Sequence, residues 1–276
     1  MDFSVSTQTF VVYSQDVERV NLEDLYSKIV LSDTIIGIRC GANSAGVSKR
    51  TATAAASSVN YLKCLTLSVL VPCANATVAR KTVPVGFKSL SIKVFRNGSI
   101  QVTGCKSELH VKCCVEIVYN LLGLKCVAAL YLVSVMINAN FAVGFKINRE
   151  RLCKYLESVC KINIPPLTNG YMGTKLKIPL MKDVKTLQIP CYSWTTSEGF
   201  ARLASVGYLD YFAQVSKKCE KRFMACIGIF QNGKVLVSSV DRDAIAVVCQ
   251  WMWTTLKTAQ PLIQVKFHEP RTFRRD

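Results

Sequence analysis

The sequence is poor in the residues that most often hold metals or act as general bases. It has two histidines, His110 and His268, and its thirteen cysteines include no Cys-x-x-Cys pair. Because zinc ligands usually recur at such close spacings, this pattern predicts no metal site. An odd number of cysteines is typical of reduced thiols in an intracellular compartment. Cysteines in apolar, periodic segments are expected to be buried, and these are Cys105, Cys113, Cys114, Cys226 and Cys249.

The groupings typical of enzymes are absent as well. No paired carboxylates, no nucleophile beside a base and no phosphate-binding loop stand out in the sequence. Glu108 and His110 form the one local pair of titratable residues, and a helix surface is the favoured explanation for them. We therefore predict no enzymatic activity, no cofactor and no small-molecule substrate.

Targeting and membrane signals are also lacking. Residues 1–4 begin neither a basic nor an apolar region, so no signal peptide is expected and the predicted location is intracellular. The apolar stretch Cys126–Phe145 is interrupted by Ser134, Asn138 and Asn140. A connection followed by a strand is favoured there over a membrane-spanning helix, so no membrane partner is predicted.

Acidic residues are few relative to basic ones. The chain of 276 residues has 35 Lys and Arg against 18 Asp and Glu, a formal charge of +17. The excess is +6 in residues 1–125 and +11 in residues 126–276, so no single tail explains it. Such a field attracts polyanions, nucleic acid first and anionic membrane second. A basic surface that serves solubility is the alternative.

Two stretches of the sequence are alike at a fixed separation of 135 residues. The alignment pairs residues 95–103, FRNGSIQVT, with residues 230–238, FQNGKVLVS, and at the same offset Cys114 meets Cys249 and Leu121 meets Leu256. Each copy predicts a β-hairpin closed by a two-residue Asn-Gly turn, with positive φ at both residues, and then a helix. The fixed offset indicates an internally duplicated fold.

Further elements are predicted around each hairpin. In the first copy the extended segment is Gln8–Gln15, the helix is capped by Asn21, the strand is Ile35–Cys40 and a long insertion spans about 43–86. In the second copy the extended segment is Leu132–Phe141, the helix is capped by Asn148, the strand is Tyr171–Ile178 and a long insertion spans about 179–220. Amphipathic helices follow the hairpins. The first helix starts at Ser107 and ends at Gly123, and its apolar stripe is Leu109, Val111, Cys114, Val115, Val118 and Leu122. The second helix starts at Asp241 or Asp243, and its apolar stripe is Ile245, Val248, Trp251, Met252 and Leu256.

Alternation along the hairpin strands separates two faces. The face predicted to pack against helices is apolar and β-branched, and consists of Ile92, Val94, Ile100, Val102, Ile227, Ile229, Val235 and Val237. The opposite face places one Phe of each copy among small, polar or amide side chains, and consists of Lys93, Phe95, Gln101, Thr103, Gly228, Phe230, Leu236 and Ser238. This second face is the candidate functional surface.

The hairpin-plus-helix segments Ile92–Leu124 and Ile227–Thr258 resemble the TATA-box-binding protein family. The best match is residues 98–107, GSIQVTGCKS, which is similar to the family's turn and its strand ending in Thr-Gly. The likeness is greatest to the divergent versions carried by nucleocytoplasmic large DNA viruses. The resemblance implies an α+β fold, a duplicated, pseudo-two-fold saddle with a curved antiparallel sheet and helices on the convex face. Its repeats would be residues 1–125 and 126–276, the latter with a basic C-terminal tail, and the segments 89–104 and 222–239 would superpose.

The resemblance also implies DNA-binding residues. Phe95 and Phe230 match the wedge Phe of each half, Thr103 and Ser238 match a groove-facing Thr, and Val11 and Asn138 match a groove-facing Val. Gln101, Leu236 and Lys93 share this face, although Lys93 replaces an apolar residue of the family. The second wedge of each half falls near Thr34 and Thr168, and the paired central Asn residues align with Thr9 and Met136.

The implied function is a DNA-binding factor in transcription initiation. Its partners would be double-stranded DNA, other initiation factors and RNA polymerase, in a viral factory of the host cytoplasm or in the nucleus, and the protein could be packaged in the virion. A saddle-fold scaffold for protein interactions that has lost specific DNA binding is the alternative. A membrane-associated virion protein has only the apolar stretch of residues 126–145 in its favour.

Overall fold

The computed structural model describes residues 2–47, 64–73, 83–164, 173–180, 186–214 and 224–265. The strands are β1 Ser4–Ser14, β2 Ile35–Cys40, β3 Asn43–Gly46, β4 Cys64–Pro72, β5 Phe87–Phe95, β6 Ile100–Cys105, β7 Cys126–Ala142, β8 Gly173–Pro179, β9 Gln188–Ile189, β10 Cys191–Thr195, β11 Gly199–Arg202, β12 Val206–Gly207, β13 Met224–Phe230 and β14 Lys234–Ser239. The helices are α1 Leu22–Lys28, α2 Glu108–Leu121, α3 Arg149–Ser158, α4 Tyr208–Gln214 and α5 Arg242–Ile263. The fold is thus mixed α and β, dominated by antiparallel sheet.

The chain forms two compact units. The larger unit comprises residues 7–136 and 183–221, and the smaller unit comprises residues 1–6, 137–182 and 222–276. Both β1 and β7 contribute residues to each unit. The predicted repeats, residues 1–125 and 126–276, describe an internal duplication of the sequence. The compact units are divided at other residues and do not test that duplication, so the repeats stay a prediction.

The larger unit contains an antiparallel sheet in the order β3-β2-β4-β5-β6-β1, and β10 pairs with both β7 and β11. The residues of β5 and β6 predicted to face the helices are at most 1% exposed, and they pack with side chains of α1 and α2. Strand β4 lies within the range 43–86 that the sequence interpretation set apart as an insertion. It pairs with β2 and β5, and it adds Leu65, Leu67, Val69 and Val71 to the core.

The smaller unit has the strand order β7-β14-β13-β8, and α3 and α5 pack on its sheet. The predicted inward residues of β13 and β14 are again at most 1% exposed. Period-two alternation with a β-branched face therefore identified the buried side of both hairpins correctly.

The turns of the two hairpins differ from the prediction. Gly98 and Gly233 have positive φ values of 75° and 80°, but neither Asn97 nor Asn232 does. In both turns the glycine N–H donates to the carbonyl of the Phe three residues earlier at 3.0 Å. The asparagine Oδ1 accepts the N–H of the residue after the glycine, at 3.3 Å and 3.1 Å. This is the three-residue connection of a type I turn plus a left-handed glycine, which the side chain of Asn stabilises.

The starts of the helices follow the predicted caps with one exception. Asn21, Asn148 and Asp241 each accept a backbone N–H of the first turn through a side-chain oxygen. Ser107 occupies the cap position of α2 but makes no such bond. The Lys106 N–H donates instead to Nδ1 of His110 at 3.1 Å. His110 is therefore buried, at 6% exposure, and not on the helix surface as predicted.

Three further expectations about exposure are wrong. Leu109 is 66% exposed and Trp251 is 38% exposed, so neither belongs to the core stripe of its helix. Cys226 is exposed because its neighbours Ala225 and Ile227 occupy the inward positions of β13. Trp251 borders an apolar groove with Ile178 and Pro179.

The stretch predicted as a connection and a strand is one strand of 17 residues, β7. In the part of the chain that the structure describes, no helix is both long and apolar enough to cross a membrane.

Candidate nucleic-acid interface

The larger unit presents a sheet surface on the side opposite α1 and α2, here called the larger-unit face. Cross-strand pairing aligns Arg39, Thr66, Lys93, Gln101 and Val11 in one row across five strands. The next row is formed by Ser68, Ser91, Thr103 and Thr9. The structure thus brings the predicted residues Val11, Lys93, Gln101 and Thr103 onto one surface rich in hydroxyl and amide groups.

Most side chains of this face are half-buried, and Gln101 and Thr103 contact each other. Gln101 Nε2 donates to Thr103 Oγ1 at 3.4 Å. Phe95 is half-buried at the end of β5, next to the glycine turn and opposite Cys64. Thr9 is 3% exposed, and among the described residues its hydroxyl has no hydrogen-bond partner. A buried hydroxyl without a partner is unfavourable, so Thr9 is a locally destabilising position in this face.

The smaller unit presents a second surface opposite α3 and α5, here called the smaller-unit face. Ser238 lies directly across from Asn138 and donates to its Oδ1 at 2.6 Å. Ser6 Oγ donates to the Asn138 carbonyl at 3.1 Å, and Ser4 Oγ donates to Asn140 Oδ1 at 3.2 Å. Hydroxyl and amide side chains therefore form two hydrogen-bonded groups on this face, one at Asn138 and one at Asn140.

The remaining predicted residues of the second copy also lie on the smaller-unit face. Leu236 is across from Asn140 on one side and Gly228 on the other, and both Leu236 and Phe230 are half-buried. Because Gly228 has no side chain, the sheet surface is depressed next to Leu236 and Phe230. Each unit thus combines one half-buried Phe with small or polar neighbours.

The sequence interpretation missed two lysines on β8. Lys175 and Lys177 are exposed, and they are cross-strand neighbours of Gly228 and Cys226 on the smaller-unit face. The alternation of Lys175, Leu176 and Lys177, with Leu176 only 1% exposed, was the signal that could have identified them.

Four positions stand where the resemblance implies a second wedge Phe or a central Asn, and the described ones differ in exposure. Thr34 is exposed and Met136 is 38% exposed, whereas Thr9 is buried in the larger-unit face. Thr168 lies outside the described residues.

A segment within the range 179–220 lies on the larger-unit face. It consists of residues 186–190 and 206–214, which include β9, β12 and α4, and it is called the covering segment. Tyr211 of α4 is fully buried, and its ring centroid is 5.8 Å from that of Tyr13 and 5.2 Å from that of Tyr131. The sequence carried no signal for this contact, because it joins residues about 80 and 200 positions apart.

Two titratable groups outside these faces, Cys105 and His110, are buried. Burial raises the pKa of the Cys105 thiol to about 12, so the unreactive thiol form predominates near neutral pH. Burial also lowers the pKa of His110, whose Nδ1 accepts a backbone N–H. Among the described residues, no three His, Cys, Asp or Glu side chains are grouped so that they could hold a metal ion.

Comparisons with known proteins give matches among solved structures and none in sequence. No protein-family model matches the chain, and no curated protein matches it in sequence. Among solved structures, the chain is similar to the TBP of Methanococcus jannaschii, with a TM-score of 0.48 and 11% sequence identity. The similarity covers 94% of this chain and 99% of the archaeal protein.

Proposed function

We propose that this chain is a TATA-binding-protein-like, DNA-binding factor in transcription initiation, of viral origin, which contacts the minor groove through the larger-unit and smaller-unit faces. In this proposal the two faces form the concave side of a pseudo-two-fold saddle, with the helices on its convex side. Its partners are double-stranded DNA, initiation factors and RNA polymerase, and it acts in a viral factory or the nucleus. The observation that carries the proposal is the composition of the two faces, each with one half-buried Phe among hydroxyl and amide groups.

The chemistry of the minor groove matches these faces. A·T pairs display there only acceptor atoms, so a protein needs flat apolar contact and a few hydroxyl or amide donors rather than a coded set of side chains. Phe95 and Phe230 provide flat apolar side chains that can enter between base steps. Thr103, Ser238 and Asn138 provide hydroxyl and amide groups at neighbouring positions.

The positive charge supports the same proposal. The formal charge of +17 is spread over both halves of the chain, and Lys175 and Lys177 flank the smaller-unit face. Cations beside a groove-binding surface neutralise phosphates and release counterions, which makes binding salt-dependent. On the larger-unit face, Arg39 and Lys93 lie in the same row as Gln101.

A mobility shift with duplex DNA tests the proposed function. We expect binding that weakens steeply with salt and a weaker preference for TATA than in cellular relatives. The physical reason is that Thr34 and Thr168 cannot unstack a base step, and that Thr9 and Met136 lack a side-chain amide. The measurement is competition between a TATA duplex and a scrambled duplex at two salt concentrations. A preference of several hundredfold for TATA that persists at high salt would contradict the expectation.

Replacing the two β8 lysines is a more local test of the phosphate contacts. The double substitution Lys175→Gln and Lys177→Gln is expected to weaken binding to all duplexes alike. It should reduce the slope of log K against log salt by about 2, since each phosphate contact contributes about 0.9. The matched control is Arg151→Gln with Lys154→Gln, which removes the same charge from exposed positions of α3 on the other side of the sheet. Equal slopes for the two double variants would place the phosphate contacts elsewhere.

The alternative function is a protein-interaction scaffold that no longer binds DNA specifically. The observation in its favour is the covering segment, which occupies part of the larger-unit face with aromatic side chains. A scaffold predicts no duplex binding even at low salt, whereas the DNA-binding proposal predicts its strongest binding there. The same mobility shift therefore distinguishes the two.

A further inference from the structure

The covering segment occupies the same side of the sheet as the proposed DNA contacts. Along β1, Phe10 and Val12 belong to the core beneath the helices, so Val11 and Tyr13 both face the opposite side. Along β7, Leu130 and Leu132 belong to that core, and Tyr131 and Val133 face away from it. Residues two apart on a strand are about 7 Å apart, so Tyr13, which contacts Tyr211, lies about 7 Å along β1 from the predicted DNA contact Val11.

The cluster that holds the covering segment is small. Among the described residues, its buried members are Val133, Ile189 and Tyr211, packed against Tyr13, Tyr131, Val206, Tyr208 and Phe212. The core on the other side of the same sheet contains 28 buried residues in the same part of the chain. Burial raises the pKa of Tyr211, and among the described residues its hydroxyl has no hydrogen-bond partner. A buried hydroxyl without a partner weakens the packing that holds it, and small clusters of this kind open at low free energy.

The charge of the covering segment argues against a part in DNA binding. In a chain with a formal charge of +17, residues 186–190 and 206–214 contain no Lys or Arg and one carboxylate, Asp210. Asp210 is exposed at the start of α4. A segment that extended the DNA-binding surface would add cations for the phosphates. This one adds a negative charge and aromatic bulk.

We propose that the covering segment is an autoinhibitory strap, which must leave the larger-unit face before duplex DNA can contact the whole of it. The inference rests on the proposed function, because it concerns access to the same surface. Binding is then limited by the fraction of molecules in which α4 is released, and the apparent dissociation constant rises as that fraction falls. The Leu132 N–H donates a hydrogen bond to the Pro190 carbonyl at 3.0 Å, and this bond joins residues 186–190 of the strap to β7.

Two substitutions of Tyr211 shift this equilibrium in opposite directions. Tyr211→Ala removes the ring that contacts Tyr13 and Tyr131, so the strap is released and duplex affinity is expected to rise about tenfold. Tyr211→Phe keeps the ring and removes the hydroxyl without a partner, so the covered state becomes more stable and affinity is expected to fall severalfold. The measurement is fluorescence anisotropy of a labelled 20-base-pair duplex at one salt concentration, with thermal unfolding of each variant in parallel.

Hydrogen exchange on the unmodified protein gives an independent measurement. With duplex added, the backbone amides of residues 208–214 are expected to exchange faster, while those in the middle of α5 stay unchanged. Slower exchange at residues 208–214 on DNA binding would show that the segment takes part in the complex, and would overturn the inference.

The outcomes separate this inference from the proposed function. If the unmodified protein and both Tyr211 variants all fail to bind duplex at low salt, the proposed function is wrong. If the unmodified protein binds and the two variants bind with the same affinity, DNA binding stands and the strap is a structural cover only. If Tyr211→Ala unfolds, the comparison of Tyr211→Phe with the unmodified protein and the exchange measurement still decide the question.

Discussion

Replacing Phe95 and Phe230 together by Ala is expected to lower the affinity for duplex DNA by roughly a hundredfold or more, because each stacked aromatic contributes about 1–3 kcal/mol. DNA bending should fall in parallel, since unstacking a base step costs a few kcal/mol that the wedge contacts must offset. Both side chains are half-buried on the sides of the sheets away from the helices, so the midpoint of thermal unfolding should change little. Affinity, bending and thermal unfolding are measured on the same preparations.

A control for this variant removes apolar side chains from the helices. The double substitution Leu109→Ala and Val247→Ala truncates two side chains that are 66% and 69% exposed, in α2 and α5. This control should bind DNA as the unmodified protein does. If the Phe double variant unfolds instead, the two Phe residues are structural and the minor-groove proposal loses its central contacts.

The largest loss of stability is expected from adding a methyl group at the hairpin glycines. At Gly98 a Cβ atom would overlap the Val17 carbonyl oxygen, and at Gly233 it would overlap the Phe145 carbonyl oxygen. Both glycines also have positive φ, which is unfavourable for Ala by about 1–2 kcal/mol. Because a backbone atom cannot move aside as a side chain does, each substitution to Ala should reduce the free energy of unfolding by about 3–5 kcal/mol in urea titrations.

The substitution Gly86→Ala separates the cost of positive φ from the cost of the steric overlap. Gly86 has a φ of 80°, but a Cβ atom there would meet nothing within 4 Å. Gly86→Ala should therefore show the cost of the backbone conformation alone. An equal loss for Gly86→Ala and Gly98→Ala would mean that the close approach of Val17 contributes nothing.

Patterns of short period in the sequence predicted much of the fold. Alternation identified the buried and outer sides of both hairpins, and Asn21 and Asn148 were correctly predicted as helix caps because capping depends on residues within one turn. The same alternation placed Lys93, Gln101 and Thr103 on a common side of their strands, and the family resemblance added Val11. Their pairing in neighbouring rows was then fixed by the strand order.

Features that depend on distant contacts could not be predicted in this way. The type of turn was wrong because Asn-Gly fits more than one hairpin connection. Strand β4 was missed because its pairing partners β2 and β5 are separated from it in sequence by residues 41–63 and 73–86. The cover over the larger-unit face was missed because Tyr211 contacts Tyr13 and Tyr131 across long separations.

The central claim is that duplex DNA binds through its minor groove, and inosine substitution tests it directly. Replacing guanine by inosine in a G·C-rich duplex removes the amino group from the minor groove and leaves the major-groove edge unchanged. The amino group obstructs flat apolar contact and the insertion of Phe95 and Phe230, so the account predicts clearly tighter binding of the inosine duplex, and loss of that gain in the Phe double variant. Equal affinity for the guanine and inosine duplexes would show that the protein binds phosphates or the major groove, and would contradict the account.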